Sequence, residues 1–60
     1  MLERYARRRE SEGWTVFDVW TGRPVVIADF SQMGLPERDA IELAAMLNEH
    51  ARRGNRVVLQ

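Results

Sequence analysis

Residues 14–28 of this chain, WTVFDVWTGRPVVIA, place the strongest constraint on its fold. The segment is rich in β-branched and aromatic residues, and Asp18 and Gly22 break it in the middle, so it predicts a β-hairpin. Asp is favoured where a type I turn begins, because its carboxylate accepts from N–H groups ahead of it. Gly22 suits the left-handed position that closes such a loop. With a loop over residues 19–22, Asp18 lies opposite Arg23, Val16 opposite Val25, and Trp14 opposite Ile27. Opposed residues share a face. One face then carries Trp14, Val16, Val25 and Ile27, and the other Thr15, Phe17, Pro24, Val26 and Ala28. A three-residue loop ending at the same Gly22 slips the pairing by one and mixes these sets. Either register leaves large apolar groups on both sides, whereas an antiparallel sheet with one wet face alternates apolar with polar. Such a ribbon needs two covers.

The first cover is a helix over residues 37–53. Pro36 suits a helix start, where its missing N–H has no partner to lose. Glu37 and Asp39 set negative charge in the first turn, and Arg52 and Arg53 set positive charge in the last. Gly54-Asn55 is a stop signal. Ala40, Leu43, Ala44, Leu47 and Ala51 form one stripe, flanked by Ile41, Met46 and His50, while Arg38, Glu42, Glu49 and Arg53 take the opposite side. Alanine in the stripe lets the helix lie close to a sheet that carries the bulk.

At the N-terminus, Leu2, Tyr5 and Ala6 have the i, i+3, i+4 spacing of a short helix over residues 1–9, followed by a polar linker, ESEG. Residues 1–12 are therefore expected to form a helical arm and linker, and residues 13–60 a ββαβ core. Residues 56–60 (RVVLQ) return to β character, as a strand beside the first strand of the hairpin or paired with another chain. The expected fold is one small α+β domain over residues 1–60, in the order αββαβ, with its small sheet packed on the long helix.

No second cover is visible in a chain of 60 residues. A domain this small hides only about 60% of the surface its unfolded chain exposes, and disulfides, a metal or a partner usually make up the deficit. The chain has no cysteine and a single histidine, His50, which leaves association with a partner. The nine basic residues, all arginine, balance nine acidic ones, so no net field draws in nucleic acid. No apolar run reaches the roughly 20 residues of a membrane span, and no apolar stretch follows the N-terminal charges as in a secretory signal. A cytoplasmic protein is the expectation.

Trp14 to Val25, as W-x-V-x-D-x-x-T-G-x-P-V, followed by L-A-x-x-L-N from Leu43 to Asn48, resembles small uncharacterised bacterial ββα proteins and appendages. In these a hairpin with an Asp-x-x-Thr-Gly turn precedes an alanine- and leucine-rich helix. The resemblance implies that fold over about two thirds of the chain and brings no catalytic or binding residue.

Catalytic chemistry finds little to work with. The sequence sets no catalytic partner near His50, Asp18 and Asp29 read as turn residues, and Ser11 and Ser31 have no neighbouring base. No enzyme activity, cofactor or metal is expected. Trp20 sits in a turn that needs no large aromatic for folding, and with Phe17, Val19 and Val26 it makes a candidate apolar interface. The first expectation is a non-catalytic homodimer joined through that hairpin face or a strand edge. The alternative is a nucleic-acid-binding regulator whose Arg4, Arg7, Arg8 and Arg9 track phosphates while Tyr5 stacks on a base. A third possibility is an accessory subunit docked on a larger protein.

Overall fold

A computed structural model of the chain describes residues 3–54. Within them lie strands β1 (Tyr5–Glu10), β2 (Gly13–Asp18), β3 (Val26–Ile27) and β4 (Phe30–Ser31), then one helix, α1 (Glu37–Arg52). The architecture is mixed α+β, with α1 packed on β1 and β2. The expected C-terminal strand, residues 56–60, lies outside the described residues.

Among the described residues the expected N-terminal helix is not present. Tyr5–Glu10 is instead a strand, antiparallel to β2, with Tyr5 opposite Asp18, Arg7 opposite Val16 and Arg9 opposite Trp14. Two turns of helix are unstable alone, whereas a strand here satisfies an otherwise bare edge of β2. ESEG is consequently no linker: Ser11 and Glu12 are the turn of the β1–β2 hairpin, between Glu10 and Gly13. Residues 5–12 are thus not an arm, because β1 belongs to the sheet and Tyr5 to the core.

The hairpin expected over residues 14–28 survives in part. Residues 23–25 run beside β2 in the register of the four-residue loop: Phe17 bridges Pro24, the Asp18 N–H donates to the Arg23 carbonyl at 2.9 Å, and Val25 donates to Val16 at 2.9 Å. The second strand then leaves β2. Val26–Ile27 pairs with Phe30–Ser31 in a small hairpin of its own. The chain rejoins at Gln32, whose carbonyl accepts the Val16 N–H (3.0 Å) and whose N–H donates to Val25 (2.8 Å). Beyond it, Trp14 and Leu35 exchange both backbone bonds, at 2.9 and 3.0 Å. Leu35 therefore replaces Ile27 as the partner of Trp14.

The small hairpin turns through Ala28 and Asp29, both at positive φ (51° and 70°), as a type I′ turn demands. Alanine is a poor choice there, since a left-handed conformation costs a side-chain-bearing residue about 1 kcal/mol or more. Ala28→Asn is expected to stabilise the fold by about 0.5–1 kcal/mol, visible as a rise of a few degrees in thermal unfolding.

The core follows the expected face. Val16 and Val25 are buried against Tyr5, Ala40, Ala44 and Leu47, with Trp14, Ile27, Leu35 and Leu43 packed around them. α1 starts at Glu37 as expected and ends one residue early, at Arg52; Pro36 is its extended N-cap, and its carbonyl accepts from Ala40 at 3.1 Å. On the helix stripe, Ala51 is exposed and Asn48 is buried in its stead. The last turn of α1 reaches Glu3, with which Arg52 pairs at 2.8 Å.

Candidate interaction surface

Two polar residues organise the end of the sheet where the candidate interface lies. Asp18 ends β2, with its side chain only 11% exposed. Its Oδ1 accepts the Trp20 N–H at 2.9 Å, and its backbone carbonyl accepts the Gly22 N–H at 2.7 Å, which closes the loop. That is the turn chemistry the sequence implies for an Asp at this position. Asp18 lies opposite Arg23 along the backbone, as expected, but its second carboxylate oxygen turns elsewhere. Oδ2 accepts instead from Arg4, at 3.1 Å from Nε and 2.8 Å from Nη2.

Arg4 then lies across the aromatics, its guanidinium carbon 4.2 Å from the Trp20 ring centroid and 5.3 Å from that of Tyr5. Arg7 and Arg8 behave alike, over Trp14 (5.5 Å) and Phe17 (4.9 Å) respectively. Arginine stems lie along apolar surface while their charge stays in water. Of the β1 arginines, Arg8 thus covers part of the second sheet face at Phe17, while Arg7 lies over Trp14 on the first, a device that composition alone does not reveal. On the second face Thr15, opposite Arg8, is fully buried, its hydroxyl donating to Glu10 at 3.0 Å, and Glu10 also accepts from Arg8 at 2.6 Å.

That cover is incomplete. Of the four candidate interface residues, Phe17 and Val26 stay half-buried, Val19 is exposed, and Trp20 is 75% exposed despite Arg4. The loop brings Val19 and Trp20 directly after Phe17 and Asp18, at one end of the sheet. Phe30, 73% exposed on the small hairpin, is a further apolar side chain that the sequence reading passed over as part of a connection.

The basic residues are less free than their clustering suggests. Tyr5 is buried in the core and so is not placed to stack on a base. Arg4 and Arg8 are paired with Asp18 and Glu10, and Arg7 approaches Glu37 at 4.0 Å. His50 lies exposed in the last turn of α1. Among the described residues there is no cluster of histidine, aspartate or glutamate able to hold a metal ion. Nor does any described helix have the length and apolarity to cross a membrane.

Asn48 is the functional-looking polar residue that the sequence reading left without a role. It is 4% exposed, and its carboxamide accepts the Tyr5 N–H and donates to the Tyr5 carbonyl, each at 2.8 Å. It also donates to Glu3 at 3.3 Å. Its place as the last letter of the L-A-x-x-L-N pattern was the available signal, since an amide next to a buried leucine on an apolar stripe requires partners.

The Asp18–Arg4 pair makes stability depend on pH. Burial acts to raise the Asp18 carboxyl, but the bonds from Arg4 and from the Trp20 and Thr21 N–H groups outweigh it and hold it below the ordinary 3.8. A depressed carboxyl contributes stability that is fully present above the unfolded-state value and lost as pH falls through the folded one. Asp18→Asn is expected to cost about 1 kcal/mol at pH 7 and nothing in strong acid. Denaturant melts of both proteins between pH 7 and pH 2 should therefore converge as pH falls. Parallel curves would exclude a role for this pair in acid sensitivity.

No family model, curated protein or solved structure matches the chain.

Proposed function

We propose that the chain is a non-catalytic, cytoplasmic protein-interaction module of the small bacterial ββα kind. Two copies join through the sheet face turned away from α1. The observation that carries this reading is the exposure of Trp20 together with half-covered Phe17 and Val26, where the core among the described residues rests on six buried apolar side chains. Large exposed aromatics mark contact surfaces, and closed symmetric pairs are the commonest oligomers. Of the two routes weighed, the face is favoured over the edge. Pairing β1 with its own copy sets arginine opposite arginine, which is destabilising.

Light scattering after size exclusion tests the reading. A dimer should have twice the 7.0 kDa chain mass at high micromolar concentration. Trp20→Glu, in an exposed turn, should return it to monomer with its helical circular dichroism intact, and Phe17→Glu should do the same. A wild-type monomer at those concentrations rejects the dimer.

A further inference from the structure

Among the described residues, the outer edge of β1 has open positions. The Arg4 carbonyl points toward the β2 side, where it accepts the Val19 N–H at 2.7 Å. The Tyr5 N–H, on the same peptide unit, therefore points away from β2, and it is this N–H and the Tyr5 carbonyl that Asn48 engages. Outward positions alternate along a strand, so the backbone groups of Arg7 and Arg9 also face away from β2. Asn48 fills the first rung of that outer ladder, in the pattern of bonds a neighbouring strand would make. Among the described residues nothing occupies the next two rungs.

Charged side chains on an edge strand usually ward off pairing. Here the arginines lean inward, Arg7 over Trp14 and Arg8 over Phe17, so their bulk does not screen the edge although their charge remains. Arg9 is exposed and forms no ion pair among the described residues.

We propose that this edge, over residues 7–9, docks an acidic polypeptide segment in extended conformation, which adds to the sheet as a third strand beside β1. The open rungs require donors as well as acceptors. A phosphate backbone offers acceptors only, whereas a peptide offers both, as in β-strand addition generally. Charge then selects the sequence: carboxylates opposite Arg7 and Arg9 are attracted, and a second copy of β1 is repelled. The outward backbone groups that form the site, those of Arg7 and Arg9, are distinct from Val19 and Trp20 of the face proposed for self-association.

The test uses the full chain and three fluorescein-labelled heptapeptides. One alternates Glu and Thr, one is the same peptide N-methylated at every amide, and one alternates Lys and Thr. Fluorescence anisotropy should show saturable binding of the first. Methylation should weaken it about tenfold or more, because charge is kept while the donors are lost. The Lys peptide should not bind. Hydrogen exchange at the Arg7 and Arg9 amides should slow on binding. Arg9→Glu should weaken binding about tenfold, whereas Trp20→Glu should leave it unchanged even if it dissociates a dimer. Equal affinity of the methylated peptide would reduce the site to electrostatics and overturn the proposal. So would tighter binding of a thymidine heptanucleotide, or no binding of the Glu peptide at millimolar concentration.

Discussion

Asn48→Ala is expected to lower the unfolding free energy by about 3 kcal/mol, because it strands two buried backbone groups of Tyr5 at once, each of which costs about 1–3 kcal/mol when left unpaired. In a domain of this size that corresponds to a fall of about 15 °C in the unfolding midpoint. Asn48→Leu should be at least as damaging, since apolar bulk supplies neither partner. Hydrogen exchange localises the effect: the Tyr5 amide, protected by Asn48 Oδ1, should exchange rapidly in either variant. Asn48→Asp separates hydrogen bonding from packing. The new carboxylate still accepts from the Tyr5 N–H but opposes the Tyr5 carbonyl with a second acceptor. Protonation restores a donor, so the folded-state pKa of the introduced group lies above its unfolded value. Its contribution is present at low pH and lost as pH rises, the reverse of Asp18. A variant carrying Asn48→Ala that melts within a degree or two of the parent would show that the amide clamp does not hold α1 to β1.

Gly13→Ala should be comparably severe, for two reasons that can be told apart. Gly13 sits at φ +131°, where residues with a side chain are strained by about 1–3 kcal/mol. A Cβ there would also lie 2.8 Å from the Gly34 carbonyl carbon and 3.1 Å from the Leu35 nitrogen, inside backbone that has no flexible end to move aside. Relief of the clash requires displacing residues 34–35, and with them both hydrogen bonds between Trp14 and Leu35. We expect a loss of about 3 kcal/mol or more. Gly22→Ala is the matched control. Gly22 also has positive φ (74°), but nothing lies within 4 Å of its would-be Cβ, so only the backbone penalty of about 1 kcal/mol applies. Chemical denaturation of the two variants should therefore differ by about 2 kcal/mol. Equal losses would mean that the strand crossing at Gly34 yields freely.

These two residues also show where a reading of the chain reaches its end. α1 was legible to within a residue, because its stripe, its charged ends and Gly54 are local signals that tertiary packing did not overrule. The Asp18 turn was legible for the same reason, as was the face that carries Val16 and Val25. Residues 5–12 were misread because YARRRE has no apolar alternation of its own. Only Tyr5 faces the core, and the arginines take their places by lying on aromatic rings contributed by β2. The partners of Gly13 and Asn48 are 21 and 43 positions away, at Gly34 and Tyr5, so no local pattern announces them.

By itself the sequence determined the strand from Trp14 to Asp18 with its apolar residues, the turn at Asp18 that returns residues 23–25 beside it, one amphipathic helix and the lack of any cysteine staple. These depend on residue chemistry over a few neighbouring positions. The tertiary structure alone decided that β1 is a strand, that Val26–Ser31 folds out as its own hairpin, and that Asn48 holds the sheet edge. Each of those outcomes rests on backbone hydrogen bonds between distant segments, whose strength comes from burial that exists only once the chain has closed on itself.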